Sequence, residues 1–524
     1  MPVQGTNHSS GSELLLRAPV RDRGPLGPQV EHALRDAIRL GRLAPGARVP
    51  PSRTLARDLG VSRRLVVGAY EQLVAEGWLQ ARVGAGTFVR QRLPDTPVPL
   101  VGRGPGRVGG EHGGGEHGGG GERGAEGGRG GEGGRSGPGA GADGARAARA
   151  AIPAAASVPV PYDFFPGHPD LAGFPRAAWG RAVRDALKEL PDSAFGYGDP
   201  RGLRELREVL AAQLARTRGV VCRPGQIVVC QGVVQALGLI VAVLRAERGG
   251  GRPRMAVEDP YLPEHRLVLD AAGAEVVPVP VDGLGVRDEA VAHADVVAAL
   301  LTPAHQMPTG VILAAGRRAA LARWAQATGG LIVEDDYDAE YRYDRAPVPA
   351  MQGLAPGQVV YLGSVSKTLA PGLRLGFLVV PEDRLAAVVQ AKRMTDGGSP
   401  VLEQAALARF IASGAYDRHV RAARRHQRDR RDALVAAVGE WLPGAEVRGI
   451  AAGLHALVAL PAALDPAALE LAGHEAGVRV YPLSGWRADP PAEASSVVVG
   501  YGAFPPAAIR EGIRRLAVAL SALT

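Results

Sequence analysis

The segment from 91 to 158 constrains this chain more than any other, because it cannot fold. It runs through Gly113-Gly114-Gly115-Glu116-His117-Gly118-Gly119-Gly120, then turns to Ala, Arg and Pro, with few large apolar side chains. Such a stretch cannot bury enough apolar surface to offset the entropy of ordering its backbone. It is expected to be a disordered linker, about 65 flexible residues giving an r.m.s. reach of roughly 40–50 Å. His112 and His117 read as scattered residues of that linker, and no metal site is expected. At 524 residues the chain is too long for one ordinary domain. The expected organisation is a disordered N-terminus (1–20), a small domain (21–90), the linker (91–158) and a large domain (159–524). Within the last, a large subdomain spans about 200–395 and a small one is built from the flanking segments.

Composition limits the class of protein. A hydrophobic share of 46% and a charged share of 22% fit soluble globular domains. The net charge is +8, and most of the excess lies between Arg21 and Arg90, with about twelve arginines against about six acids. Charge alone fits a solvated basic face as well as a surface for a polyanion. Cys222 and Cys230, the only two cysteines, are too few for a disulfide framework and lack metal-ligand spacing, so buried thiols in a reducing compartment are expected. The residues from Met1 to Ser10 lack a signal-peptide pattern, and no apolar run approaches the roughly 20 residues that span a bilayer. A cytoplasmic protein without a membrane partner is the expectation.

Before the linker the pattern is three helices and a hairpin. Pro28–Leu40 carries a helical apolar stripe at Val30, Leu34 and Ile38, and Gly41–Gly46 is a turn. Ser52–Leu59 is a second helix with Ser52 as its expected N-cap. Gly60 ends it, and Val61-Ser62 starts a third helix reaching about Glu76. Gly77–Arg82 and Thr87–Val89 pair around Gly84-Ala85-Gly86 as a wing. A short helix, a glycine turn and a helix with Arg63 and Arg64 in its first turn make helix-turn-helix geometry, in which that first turn reaches base edges.

Leu40–Arg53, then Leu59-Gly60-Val61-Ser62-Arg63, then Gly84-Ala85-Gly86-Thr87-Phe88-Val89, resemble the GntR-family winged helix over about Pro25 to Val89. The resemblance implies double-stranded operator DNA as partner. It puts Arg48, Ser52, Arg53, Ser62, Arg63 and Arg64 at phosphates and bases, with Gly86 and Thr87 of the wing near the minor groove. Val67 stands where the family often has a base-reading arginine, so no operator sequence is implied.

Beyond the linker, strand-like runs alternate with helical stretches: Gln226–Cys230, Met255–Val257, Glu275–Val279, Val296–Leu301, Leu331–Glu334, Val359–Leu362 and Gly376–Val380. This order predicts an α/β domain with a mostly parallel sheet. Leu402–Ile411 reads as a core or dimer helix. Arg418–Arg431 reads as a helix with Arg421, Arg424, Arg425 and Arg428 exposed, either a solvated face or a secondary DNA contact.

Two clusters carry chemistry. In Gly363-Ser364-Val365-Ser366-Lys367-Thr368-Leu369-Ala370-Pro371-Gly372-Leu373-Arg374, a lysine follows a buried strand among small hydroxyls, with an arginine seven residues on. Schiff-base chemistry needs a lysine amine kept off solvent, and the hydroxyls and arginine suit a phosphate monoester. In Leu331-Ile332-Val333-Glu334-Asp335-Asp336-Tyr337-Asp338, a strand delivers carboxylates beside a tyrosine. Taken alone that acidic run also fits a divalent-metal site.

Together with Phe195–Gly202 and Leu301–Gly310, these clusters resemble the fold-type I aminotransferases over about Tyr162 to Leu523. With the upstream winged helix, the arrangement is similar to the MocR subfamily of GntR-type regulators. The expected fold is therefore multidomain: an α+β winged helix-turn-helix, then an α/β fold-type I domain. The resemblance implies pyridoxal 5'-phosphate as cofactor, with Lys367 its Schiff-base lysine, Asp335 at the pyridine nitrogen and Tyr337 at the phenolic oxygen. Ser364, Ser366, Arg374 and the backbone of Gly232 and Val233 would hold the phosphate. Tyr261 would meet the ring, and Tyr197 would reach the phosphate of a partner subunit in a homodimer.

Three departures stand out. Gln231-Gly232-Val233-Val234 lacks the hydroxyl common in relatives, and Tyr261 falls one place early for a stacking aromatic. Ala503, after Gly500-Tyr501-Gly502, stands where aminotransferases keep the arginine for a substrate carboxylate. The effector is then pyridoxal phosphate itself, as in PdxR-like activators of vitamin B6 synthesis, or a small amine or amino acid held otherwise. A regulator is the favoured reading, and an active aminotransferase carrying a DNA-binding module the alternative.

Overall fold

The computed structural model describes residues 26–39, 43, 46–75, 78–82, 86–89, 159–343, 348–491 and 494–523. The stretches 1–20 and 91–158, expected to be disordered, lie outside them, as do the wing-tip residues Gly84 and Ala85.

In the N-terminal part, helices α1 (Leu26–Arg39), α2 (Ser52–Asp58) and α3 (Arg63–Ala75) precede strands β1 (Leu79–Arg82) and β2 (Gly86–Val89). The stripe Val30, Leu34, Ile38 packs with Leu55, Val66, Leu73 and Trp78 into one core, each fully buried aliphatic contributing about 1.5–3 kcal/mol. β1 and β2 pair antiparallel, Leu79 opposite Val89. Gly46–Val49 lies along the outer side of β2, with Val49 N–H donating to the Thr87 carbonyl at 3.0 Å and Val89 N–H to the Ala47 carbonyl at 2.8 Å. The expected cap at Ser52 is corrected: Pro51 is the N-cap and makes no side-chain cap bond, so Ser52 is the first helical residue. Proline fixes φ for entry into a helix, which shifts the boundary by one.

The large sheet contains β4 (Ile227–Cys230), β5 (Arg254–Asp259), β6 (Glu275–Asp282), β7 (Gly285–Val286), β8 (Ala298–Leu301), β9 (Leu331–Asp335), β10 (Val359–Ser364) and β11 (Gly376–Val379), after a short β3 (Tyr162–Asp163). Its order is β4-β11-β10-β9-β8-β5-β6-β7. The pairs from β10 through β9, β8 and β5 to β6 are parallel, whereas β11 runs against both β10 and β4. Central strands are covered by helices on both faces, so they read as apolar runs without alternation; every residue of β9 is buried. A second sheet, β12 (Glu446–Arg448), β13 (His455–Leu464), β15 (Tyr481–Pro482) and β16 (Ala494–Gly500), forms the smaller part with order β12-β13-β16-β15.

The chain enters this region as a strap. β3 pairs in parallel with β14 (Val478–Arg479), Asp163 accepts from Arg479 at 2.8 Å and from the Tyr481 hydroxyl at 2.6 Å, and Gly500 N–H donates to the Phe164 carbonyl at 2.9 Å. Helix Val401–Ala412 is core, with Ala405, Leu407 and Phe410 buried. On helix Ala415–Trp441, Arg421, Arg425 and Arg428 are exposed, but Arg424 is half-buried and donates to the Glu340 carbonyl at 2.8 Å, correcting the reading of four exposed arginines. Cys230 is buried and Cys222 half-buried, both free thiols. Among the described residues no helix is long and apolar enough to cross a membrane.

Candidate functional site

Two sites emerge. In the N-terminal one, Arg53, Ser62, Arg63 and Arg64 are exposed at the starts of α2 and α3. The Ser62 hydroxyl accepts from Leu65 N–H at 3.4 Å, capping α3 so that Arg63 and Arg64 open it. Val67, one turn on, is half-buried. Arg48 bridges to Phe88, and its guanidinium packs over Gly86, where a Cβ would stand 2.9 Å from Nε. Arg48, Gly86 and Thr87 thus share one edge, as the hairpin ladder requires.

In the larger part, the expected site residues gather at or just past the carboxyl ends of the strands: Gly232 after β4, Tyr261 after β5, Asp335 at the end of β9 and Ser364 at the end of β10, joined by His305 after β8, which was not among those expected. In an open α/β sheet this edge is where ligands bind. Reversed β11 starts at the same edge, with Gly376 opposite both Cys230 and Ser364, so Arg374 arrives there too.

Gly232 (φ 104°, ψ −179°) is the N-cap of the 15-residue helix Val233–Glu247, with no side-chain cap bond. That backbone region is open essentially only to glycine, and uncapped N–H groups at a helix start, with the helix dipole, suit an anion. Arg374 lies over it; a Cβ on Gly232 would be 3.3 Å from Nη2. Arg374 itself takes φ 50°, ψ 43°, a left-handed conformation costing about 1–2 kcal/mol for a residue with a side chain. Ser366 N–H contacts the Ser364 hydroxyl oxygen at 3.4 Å.

Lys367 is half-buried, and the loss of water around its amine lowers that amine's pKa, opposed by Asp338, Asp335 and Glu264. Its turn is pinned by the Tyr341 hydroxyl donating to the Lys367 carbonyl at 3.1 Å and by His419 Nε2 donating to the Thr368 carbonyl at 2.6 Å. The strap crosses above: Gly167 (φ 83°) leaves room for Nζ, which a Cβ there would meet at 3.2 Å.

Asp335 Oδ2 accepts from the Tyr261 hydroxyl at 3.2 Å, and that hydroxyl is 2.9 Å from His265 Nδ1. The contact Tyr261 makes in the site is therefore through its hydroxyl, bracing Asp335. Asp335 Oδ1 is buried without a partner. Burial, with the Asp336 charge opposing ionisation further, pushes this carboxyl up to about 7. His265 falls to about 4, through burial and then Lys367.

The other acids of the run are spent elsewhere. Glu334 accepts from Met351 and Gln352 N–H groups at 2.7 and 2.9 Å, and Asp336 holds Arg218 through two bonds of 2.6 and 2.9 Å. Asp338 accepts from His305 Nδ1 at 2.9 Å, and the Tyr337 hydroxyl is 3.1 Å from the same nitrogen. Sequence reasoning passed over His305 and His455. With Asp338 they bring ligand-type atoms within 4.8 Å of one another, but the Nδ1 hydrogen of His305 is committed to Asp338. His455 is buried with neither ring nitrogen hydrogen-bonded, and burial, then His305, holds it well below the usual histidine range.

Ala503 is exposed. The buried Arg430 nearby is engaged by Asp170 at 2.7 Å and by the Gly502 carbonyl at 3.0 Å. Tyr197 is fully exposed at 106%. A further chain of side chains, from buried Lys392 through half-buried Asp396 and Gln235 to the Gln231 backbone, braces the turn before Gly232 through contacts of 2.6, 2.6 and 2.8 Å.

Residues 26–89 match the bacterial gntR regulatory family and residues 171–495 the aminotransferase class I and II family. The chain is 33% identical to the probable rhizopine catabolism regulatory protein MocR of Rhizobium meliloti over 510 residues, covering 95% of this chain and 94% of that one. The chain belongs to the MocR family of GntR-type transcription regulators. Within it, 31% identity over 499 residues, 94% of this chain and 95% of the relative, links it to the pyridoxine biosynthesis regulator PdxR of Corynebacterium glutamicum. The MocR-family chain also resembles solved enzymes. Kynurenine aminotransferase of Pyrococcus horikoshii matches at 26% identity and TM-score 0.63, over 70% of this chain and 92% of that one. The multiple substrate aminotransferase of Thermococcus profundus matches at 26% and 0.65, over 71% and 94%.

Proposed function

We propose that this regulator binds pyridoxal phosphate on Lys367 and that the bound state, or its reaction with a small amine or amino acid, sets how a homodimer engages operator DNA. The observation that carries this is Asp335 Oδ1: a buried carboxylate oxygen without a partner, which a protonated pyridine nitrogen would satisfy. The rest of the site fits the same group. Arg374, Ser364, Ser366 and the helix start at Gly232-Val233 suit its phosphate, Tyr337 its phenolic oxygen, and Lys367 its aldehyde. When bound, the group supplies an aldehyde that condenses with amines and a ring that accepts electrons.

The protein's own contribution is positional. Asp335 would keep a proton on the ring nitrogen, Tyr261 and His265 hold Asp335 in place, and the strap at Gly167 packs against Nζ. Tyr197, exposed in one chain, is placed by this reading at the phosphate of the partner chain. The winged helix, with Arg48, Ser52, Arg53, Ser62, Arg63, Arg64, Gly86 and Thr87, takes double-stranded DNA.

The test is the absorbance of purified protein with pyridoxal phosphate, for wild type and Lys367→Ala, followed by operator binding with and without cofactor. A long-wavelength band confined to wild type supports the site; its absence from both sinks it. Retained Lys367, Asp335 and Tyr337 favour a second reading, a working aminotransferase, which Ala503 and the engaged Arg430 oppose. Glutamate-driven conversion of bound cofactor to its amine form decides between them.

A further inference from the structure

His305 and Asp338 form a buried pair beside half-buried Tyr337, and the hydrogens of the three can be counted. His305 is 3% and Asp338 2% exposed. The His305 ring stacks on Tyr337 with centroids 6.1 Å apart and 29° between planes, and His455 sits against both rings, 5.0 Å from His305 and 6.5 Å from Tyr337. Gly453 (φ 72°) presses its backbone on the pair; a side chain there would collide with both His305 and Asp338.

Asp338 accepts hydrogen bonds and, as a carboxylate, donates none. The 2.9 Å contact therefore places the hydrogen on His305 Nδ1. The Tyr337 hydroxyl, 3.1 Å from that same nitrogen, finds no lone pair there, so its oxygen can accept while its hydrogen stays uncommitted. Without the imidazole the arrangement changes: Asp338, the charge that acts most strongly on Tyr337, is left as an acceptor for its hydrogen.

We propose that Asp338, acting through His305, keeps the Tyr337 hydroxyl hydrogen available for the phenolic oxygen of the cofactor, making His305 a positioning residue. This rests on the reading of Lys367 and Asp335 as the cofactor site. Donation to that oxygen favours the deprotonated form of the lysine-bound cofactor, in which the oxygen has lost its internal partner. Losing the donation raises the pH at which the bound cofactor titrates. Other charges near the group stay in place: Tyr337 is faced by Asp335, Asp338, Glu258 and Tyr261, and Lys367 by Asp335, Asp338 and Glu264, with His168, His265 and His455 also in its field.

The experiment is a spectral pH titration of full-length, cofactor-loaded protein: wild type, Tyr337→Phe, His305→Phe, His305→Asn, and the Tyr337→Phe/His305→Phe double variant. Phenylalanine keeps the stack and removes the nitrogen, while asparagine returns an N–H to the position of Nδ1. The expected result is a midpoint raised by about one pH unit in Tyr337→Phe and His305→Phe, the size of one hydrogen bond to a charged group. His305→Asn should stay near wild type, and the double variant should equal Tyr337→Phe. A wild-type midpoint in His305→Phe overturns the inference, as does a His305→Phe shift of equal size with and without Tyr337. So does saturable zinc binding by cofactor-free protein that requires both His305 and His455. A wild type lacking the long-wavelength band overturns the cofactor reading itself, before any variant is compared.

Discussion

Gly376 and Gly232 touch through their backbones: a Cβ on Gly376 would stand 2.8 Å from Gly232 Cα and 3.0 Å from its nitrogen. The atoms in the way are main chain, so a methyl at 376 must push β11 from the turn that opens helix Val233–Glu247. That separates Arg374 from the helix N-terminus. Gly376→Ala is expected to weaken pyridoxal phosphate binding at least about tenfold, or about 1.4 kcal/mol. Calorimetric titration of the cofactor reads it, and unchanged affinity would contradict the anion site drawn here.

Asp335 gives a pH prediction with a definite sign. Its carboxyl titrates near 7 in the folded, cofactor-free protein, above the ordinary value of about 4 in the unfolded chain. Between those limits the folded state holds a proton that the unfolded state has released. Its stability therefore falls as pH rises through that window. Cofactor-free Asp335→Asn should melt several degrees above wild type at pH 8, the upper bound being about 4 kcal/mol, and close to wild type at pH 4.5. Adding pyridoxal phosphate should reverse the order at pH 8, since only wild type offers the charge. Thermal melts at both pH values decide it.

Asp336 and Arg218 form a bidentate pair with side chains only 2% and 3% exposed, and Tyr361 donates to the same carboxylate at 2.5 Å. Removing one partner strands a buried charge, so Asp336→Ala should cost about 3–5 kcal/mol in denaturant unfolding. Replacing both by apolar residues of similar volume should cost far less. Equal losses from the single and the double change would show that the pair is not what the site stands on.

Arg64 opens α3 with its side chain in solvent. As a phosphate contact it should lower affinity about equally for any DNA when changed to alanine, with the salt slope reduced by about 1. Arg63→Ala, if it reads a base, should instead lose about 1–3 kcal/mol on operator and little on random DNA. Binding isotherms at several salt concentrations separate the two.

What could be read from the chain alone follows its local grammar. Lys367 and Arg374 sit within one short run between two strands, and Arg63 within one turn of Gly60, so spacing exposes both. The Asp335 run was visible too, but not the separate fates of its acids. Arg218 lies 118 residues from Asp336 and His305 lies 33 from Asp338, and only the strand order brings them together. His455 begins a strand in a different sheet, with no motif around it. Ser52 was misplaced by one position because Pro51 enters the helix as well as a hydroxyl would. Tyr261 was legible as a site residue, but its hydroxyl contact needed the turn after β5.

The strap has a mechanical consequence. Residue 159 is where the described chain resumes after the glycine-rich segment, and Gly167, which lies against Lys367 Nζ, follows eight residues later. Between them, β3 and Phe164 fasten the strap to β14 and to Gly500. An adduct at Nζ, on the reading proposed above, would press on Gly167, and a shift there would reach the point where the larger part receives the chain from the DNA-binding half.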